Sequence, residues 1–199
     1  DDKGCSDDGS LDSAVRSVRH PNRYCQILNY QIPNHSDLRA IYLWPPLTEF
    51  IRQVLNVEHL FLSQCPHLAL TMKVAYEGDT DGWHYDPNDG VITLVLQTAD
   101  NGGEFEYAPN IRNKIDQNYA GVDRLFKSPD VEATRPILEP GTFTFFNGRH
   151  SMHRVRPVGS TRQPRIVSIF SFDQRPDHFF AQSYIDKLRR FPQGPPIVD

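Results

Sequence analysis

The sequence predicts a mainly β protein, a sandwich or barrel with flanking helices. Three observations predict it. Apolar residues recur at helical spacing near the front and the back of the chain. Seven or eight short runs of strand-like period lie between, separated by regular Pro/Gly turns. Those turns are too short for βαβ crossovers, and no glycine-rich phosphate loop opens a helix.

Residues 1–35 are polar and broken by Gly, Asn and Pro, with one short helix expected over Leu11–Val18. Residues 36–56 read as two consecutive helices. Ser36 caps the first, which runs through Leu38, Ile41 and Tyr42; Pro45-Pro46 interrupts; Leu47, Phe50, Ile51 and Leu55 then return at helical spacing. Residues 1–66 are thus expected as a helical layer packed on a sheet.

From Leu68 the period changes. Leu68–Tyr76 reads as a strand and Glu77–Gly82 as a turn; Gly82–Asp86 follows as strand, then Asp86–Gly90 as another turn. Val91–Gln97 is apolar on both faces, which suits a buried strand. Ala99–Gly103 reads as a hairpin turn into Glu104–Tyr107. Residues 111–128 carry helical spacing and are expected as an insertion over a sheet edge. Thr134–Leu138, Gly141–Phe146, Met152–Val158 and Arg165–Phe172 are four more short strands, completing a β core over 67–175. Asp177–Arg190 closes the chain as an amphipathic helix within 176–199, with Arg189 and Arg190 at the negative end of its dipole. The expectation is one domain over 1–199.

Composition narrows the function classes. With 38% hydrophobic and 23% charged residues the chain is an ordinary folded protein, and no apolar run approaches the ~18 residues of a membrane span. A net charge of −4 without a basic stripe argues against a nucleic-acid partner. Cys5, Cys25 and Cys65 are odd in number and lack a Cys-x-x-Cys spacing, which favours reduced thiols in an intracellular, cytoplasmic setting. Asp1 to Asp8 read as neither a signal peptide nor a natural start, so the sequence is expected to be a trimmed piece. Oligomeric state is open, although the 177–190 helix would suit a dimer.

The chemistry centres on Gly82-Trp83-His84-Tyr85-Asp86. Side chains alternate along a strand, so His84 and Asp86 share a face with Tyr85 opposite. One imidazole and one carboxylate on a face are two-thirds of the facial triad that holds non-haem Fe(II). Alone the motif is weak, since with 8 His and 25 Asp+Glu in 199 residues about one such pair arises by chance. A second pair, His35-Ser36-Asp37, sits at a helix start and reads as a capping environment. His153 is the natural third ligand, because a jelly roll brings its second and seventh core strands together across such a long separation. His150 competes. Residues three apart on a strand face opposite ways, and Val155 continues the face of His153 while His150 lies beside Gly148 in a turn. Arg165 opens the next strand, where a guanidinium could form a two-pronged salt bridge with a keto acid's carboxylate; Arg162, in the Gly159–Pro164 turn, is the alternative.

The order His84-x-Asp86, His153, Arg165 on a strand-rich scaffold resembles the Fe(II)/2-oxoglutarate-dependent dioxygenases. Leu96-Gln97, Gly102-Gly-Glu-Phe-Glu-Tyr-Ala-Pro-Asn110-Ile-Arg112, Pro140-Gly-Thr-Phe, Gly148-Arg and His153-Arg-Val-x-Pro-Val158 extend the likeness. They point to the subgroup of small-molecule and free-amino-acid hydroxylases and related halogenases, over roughly residues 38–175. The resemblance implies a double-stranded β-helix, a cupin-like jelly roll. It also implies Fe(II) on His84, Asp86 and His153, 2-oxoglutarate with its C5 carboxylate on Arg165, and O2. The implied reaction hydroxylates an unactivated C–H bond of a small molecule, such as a free amino acid or a natural-product intermediate, with release of succinate and CO2. Halogenases have a small residue in place of the carboxylate, so Asp86 favours hydroxylation. Desaturation or cyclisation with the same cofactors, or a non-enzymatic metal-binding jelly roll, are the alternatives.

Other residues carry two readings each. Glu104 and Glu106 touch substrate or form a solvated edge strand. Asn110 and Arg112 clamp a substrate carboxylate or merely begin a helix. Trp83 and the Phe143, Phe145, Phe146 run are expected in the core, Tyr107 in the core or over the substrate, and Ser168 in packing.

Overall fold

The segments of period two pair into two antiparallel sheets that face each other. The computed structural model describes residues 21–86, 91–177 and 180–188; the expected helix at 11–18, residues 87–90 and Arg189–Arg190 lie outside them. One sheet has the order β1 (Asn22–Arg23), β5 (Thr80–His84), β9 (Met152–Val155), β7 (Phe105–Ala108). The other runs β2 (Cys25–Ile27), β4 (Leu70–Ala75), β10 (Arg165–Asp173), β6 (Val91–Gln97), β8 (Phe143–Phe145), with β3 (Phe61–Leu62) on the end of β10. This is the mainly β sandwich with flanking helices that the patterning anticipates, and the jelly roll that the resemblance implies.

The helical layer forms where capping signals stand. Ser36 Oγ accepts from the Arg39 amide and starts α1 (Asp37–Tyr42); Pro45 occupies the first turn of α2 (Pro45–Val54). Tyr42, Leu47 and Ile51 bury themselves on Leu70, Ile92, Leu94, Phe170 and Phe172, the outer face of the larger sheet. The Tyr42 hydroxyl donates to the Ser171 carbonyl at 2.8 Å, so the buried ring keeps its polar end satisfied. On the outer face of the smaller sheet Trp83, Ala108 and Met152 pack on Val122 and Leu125 of α3 (Tyr119–Lys127). A short α4 (Pro129–Glu132) follows, and α5 (Gln182–Leu188) lies near the end of the described chain. With both outer faces covered, the inner faces enclose the space between the sheets.

Four expectations are corrected. Ala99–Gly103 does not close a hairpin: β6 and β7 belong to different sheets, and Gly102 and Gly103, both at positive φ, turn the chain from one to the other. Thr134–Leu138 is not a strand; Thr134 alone bridges to Tyr107, because Pro136 lacks the donor a ladder needs. The 111–128 insertion is helical only from Tyr119. Before it the Asn113 side chain accepts from the Ile115 and Asp116 amides, and Asn118 caps the helix onto Gly121. Residues 22–27 and 61–62 contribute β1, β2 and β3 to what reads as a helical layer, in pieces of two or three residues that leave no periodic signal.

Phe170 is fully buried, with ring centroids 5.5 Å from Tyr42 and 5.8 Å from Phe143, whereas Leu96 at the end of β6 is exposed. Urea denaturation is expected to show Phe170→Ala costing about 3–5 kcal/mol and Leu96→Ala staying within about 0.5 kcal/mol.

Candidate metal centre

The β5–β9 pairing builds this centre. Asp81 pairs with Val155 and His84 with His153, so three steps on β5 match two on β9; a bulge lies between. The extra residue turns Asp81 and His84 to the same side, the inner face that also holds His153. His84 and His153 become direct cross-strand neighbours, with ring centroids 4.1 Å apart. Asp86 follows β5, and its Oδ1 lies 3.5 Å from His153 Nε2 and 4.0 Å from His84 Nε2. The ligand atoms these three residues offer all lie within 4.8 Å of one another.

The ring orientations are fixed from behind. His84 Nδ1 lies 2.7 Å from the Gly82 carbonyl and His153 Nδ1 2.9 Å from the Ser151 carbonyl. A carbonyl only accepts, so each Nδ1 carries its proton and each ring turns its Nε2 toward Asp86. Burial and the neighbouring His153 push the His84 imidazole down to about 4, holding it neutral. Burial pushes the Asp86 carboxyl upward, but His153 and His84 outweigh it and the group lies below its ordinary value. Asp86 Oδ2 is buried without a hydrogen-bond partner. Two imidazoles and one carboxylate with an orphaned oxygen are a donor set that fits Fe(II).

His150, the competing imidazole, lies in the turn after Asn147 and takes no part in the cluster. Phe146 leaves the Phe143 and Phe145 core and packs edge-on against His153, ring centroids 4.8 Å apart; Phe105 joins at 5.8 Å. Trp83 points away from the cluster into the packing under α3. Ser168 is buried with its hydroxyl on the Thr71 carbonyl, a packing role.

Arg165 sits on the inner face of β10, with Gly103 beneath it: a Cβ there would meet the Arg165 Cδ at 3.0 Å. Its guanidinium borders a cavity of about 450 Å³ also lined by Val95, Phe105 and Glu104. Burial lowers its pKa to about 10 and Asp81 opposes that shift, so the group remains a cation. Phe105 walls this cavity and touches His153, linking the cation to the cluster. Arg162 is exposed and pairs with Asp100.

Of the remaining candidates, Glu104 stands at the rim of the Arg165 cavity, 3.7 Å from Arg156 Nε. Asn110 is exposed, at positive φ, with its amide on Ser151 Oγ. Arg112 is buried rather than at a helix start. Its Nε donates to the Arg149 carbonyl and its guanidinium stacks 3.4 Å over Tyr85. Glu106 is no solvated edge residue: it is fully buried and receives Arg135, Arg154 and Arg156 on the outer face of its sheet.

Sequence reasoning misses Tyr24, Lys73 and Asp81. They line a second cavity, of about 240 Å³, with His84 and Asp86. Lys73 bonds Asp81 and stands 4.5 Å over the Tyr24 ring. Asp81 is hidden because strict alternation places it opposite His84; only the bulge, invisible in the sequence, brings both inward.

A family model described as Halogenase D matches residues 9–184. No curated protein matches the chain. Among solved structures, an oxidoreductase of the 2OG-Fe(II) oxygenase family from Burkholderia pseudomallei superposes with a TM-score of 0.52 at 13% identity, covering 77% of this chain and 66% of its own; the likeness is one of fold. The viral collagen prolyl hydroxylase of Paramecium Bursaria Chlorella virus-1 gives a TM-score of 0.48 at 14% identity, over 76% of this chain and 78% of its own. A Pseudomonas putida prolyl-4-hydroxylase gives 0.45 at 15%, over 76% and 71%.

The lowered His84 pKa makes the stability of the metal-free protein pH-dependent. The unfolded chain takes up a proton near 6.5 that the folded chain refuses until about 4, so stability falls as pH drops through this window. Denaturation of metal-free protein between pH 7 and 4 is expected to show that decline, with a shallower slope for His84→Gln.

Proposed function

The chain belongs to the Halogenase D family, and from that premise we propose that it is an Fe(II)- and 2-oxoglutarate-dependent dioxygenase that hydroxylates an unactivated C–H bond of a small molecule. The observation that carries the reading is the convergence of His84, Asp86 and His153, with both histidine Nδ1 atoms tied to carbonyls. The metal and 2-oxoglutarate together supply the oxidising power. The residues do the rest. His84, Asp86 and His153 would hold the ion, and Arg165 would bind the far carboxylate of the cosubstrate by charge-assisted hydrogen bonds. Phe105 and Phe146 keep water off the His153 side. With Asp86 present, its carboxylate would be the third ligand where a halide would otherwise bind, which supports oxygen transfer over halogenation.

Two further features support this reading. A purely structural metal has no use for a cation beside it, so Arg165 favours an enzyme over a metal-binding jelly roll. The cavity of about 240 Å³ beside His84 and Asp86 suits a small substrate, such as a free amino acid or a natural-product intermediate. Glu104, at the rim of the Arg165 cavity, is a substrate contact in this reading, whereas the stacking of Arg112 on Tyr85 favours a supporting role for it. No helix among the described residues is long and apolar enough to cross a membrane, and Cys25 and Cys65 are free thiols, in keeping with a cytoplasmic setting.

Anaerobic Fe(II) titration with 2-oxoglutarate tests the reading through the weak visible charge-transfer band of the chelate. The band is expected in the wild type and absent in Asp86→Ala and His153→Ala; a band kept by His153→Ala but lost by His150→Ala would overturn the ligand assignment. Arg165→Ala should weaken 2-oxoglutarate binding about 10- to 100-fold, the equivalent of about 1.5–3 kcal/mol for a charged hydrogen bond. Product analysis with candidate substrates then separates hydroxylation from desaturation or cyclisation.

A further inference from the structure

We propose that Gly148 is a positioning residue for the metal centre: the absence of its side chain is what lets the Asp86 carboxylate lie where it meets the two histidines. The inference rests on the metal reading above, but its geometry does not. A Cβ built on Gly148 would lie 1.8 Å from Asp86 Oδ2, 2.7 Å from Cγ and 3.0 Å from Cβ. Oδ2 thus occupies the space that any other residue at 148 would fill. Because Cγ and Cβ are crowded as well as the terminal oxygen, a small twist of the carboxylate gives no relief; the side chain must leave its rotamer, taking Oδ1 away from His153 and His84.

The backbone does not ask for glycine here. Gly78, Gly102, Gly103 and Gly141 take positive φ, where a side chain is strained, and Gly148 does not. The three heavy atoms nearest a Cβ at 148 all belong to the Asp86 side chain. Nor can the turn readily retreat. The Asp86 amide donates to the Gly148 carbonyl at 3.1 Å, and the Arg112 amide donates to the His150 carbonyl at 3.2 Å. Arg112 Nε donates to the Arg149 carbonyl at 2.8 Å while its guanidinium stacks on Tyr85. Arg112 therefore straps the 147–151 turn to the end of β5 and holds Gly148 against Asp86.

A double-mutant cycle tests this with wild type, Asp86→Ala, Gly148→Ala and the double variant, reading Co(II) affinity of the metal-free proteins and, separately, their thermal stability without metal. Gly148→Ala is expected to weaken Co(II) binding about 10- to 100-fold when Asp86 is present and to cause no further loss in Asp86→Ala. Its melting temperature should fall in the wild-type background and recover in the double variant, a rescue that also covers the case where Gly148→Ala folds poorly. Equal effects of Gly148→Ala in both backgrounds, or none in either, would overturn the proposal, since the turn would then act without Asp86. If Asp86→Ala binds Co(II) as tightly as wild type, the metal reading fails and the positioning role fails with it. The metal-free melting temperatures would still report whether the two residues collide.

Discussion

The antiparallel pairing of β5 with β9 sets His84 directly opposite His153, and the extra residue before His84 turns Asp81 inward beside it. A slip of one residue would send His153 to the face that carries Met152 and Arg154, among the side chains under α3. Within the bulge the Gly82 carbonyl receives His84 Nδ1. One local irregularity therefore places the imidazole, selects its tautomer and recruits a neighbouring acid.

The register holds because the outer faces of both sheets are committed elsewhere. Tyr42, Leu47 and Ile51 cover the larger sheet, and α3 covers Trp83 and Met152 on the smaller one. Beside α3 the buried Glu106 gathers Arg135, Arg154 and Arg156, and Asp130 joins Arg135 and Arg156. Arg154 also lies 4.6 Å over the Trp83 ring. A buried carboxylate is tolerable only with such partners, and here they tie β7 to β9 directly behind His153. Apolar packing fixes one outer face and a charge cluster stiffens the other.

Between the sheets the chemistry is polar. Asp81 bonds Lys73, lies 3.8 Å from His84 Nδ1 and also acts on Arg165. It is thus the electrostatic link between the cation and the histidines. Burial would raise its pKa, and Lys73 and His84 overcome that, so it stays ionised. Gly103 leaves room for the stem of Arg165, and Gly148 for the carboxylate of Asp86.

Local chemistry made much of this legible before any fold was in hand. Ser36 announces a helix start and Pro45-Pro46 the break before the next helix, period-two apolar runs announce the strands, and His84-x-Asp86 announces two donors on one face, because capping and alternation are properties of neighbouring residues. Tertiary structure decided what depends on pairing between distant segments. It chose His153 over His150 by the register with β5, and it turned Asp81 inward through a bulge with no sequence signature. It also sent β6 and β7 to different sheets where the local turn signal suggested a hairpin. Glu106 reads as a surface acid until three arginines from two separate segments converge on it. Gly148 reads as a turn glycine until the Asp86 carboxylate is found in the space its side chain would take. Sequence supplied the groups and their local geometry; the long-range contacts, set by how the sheets pair and pack, determined which groups meet.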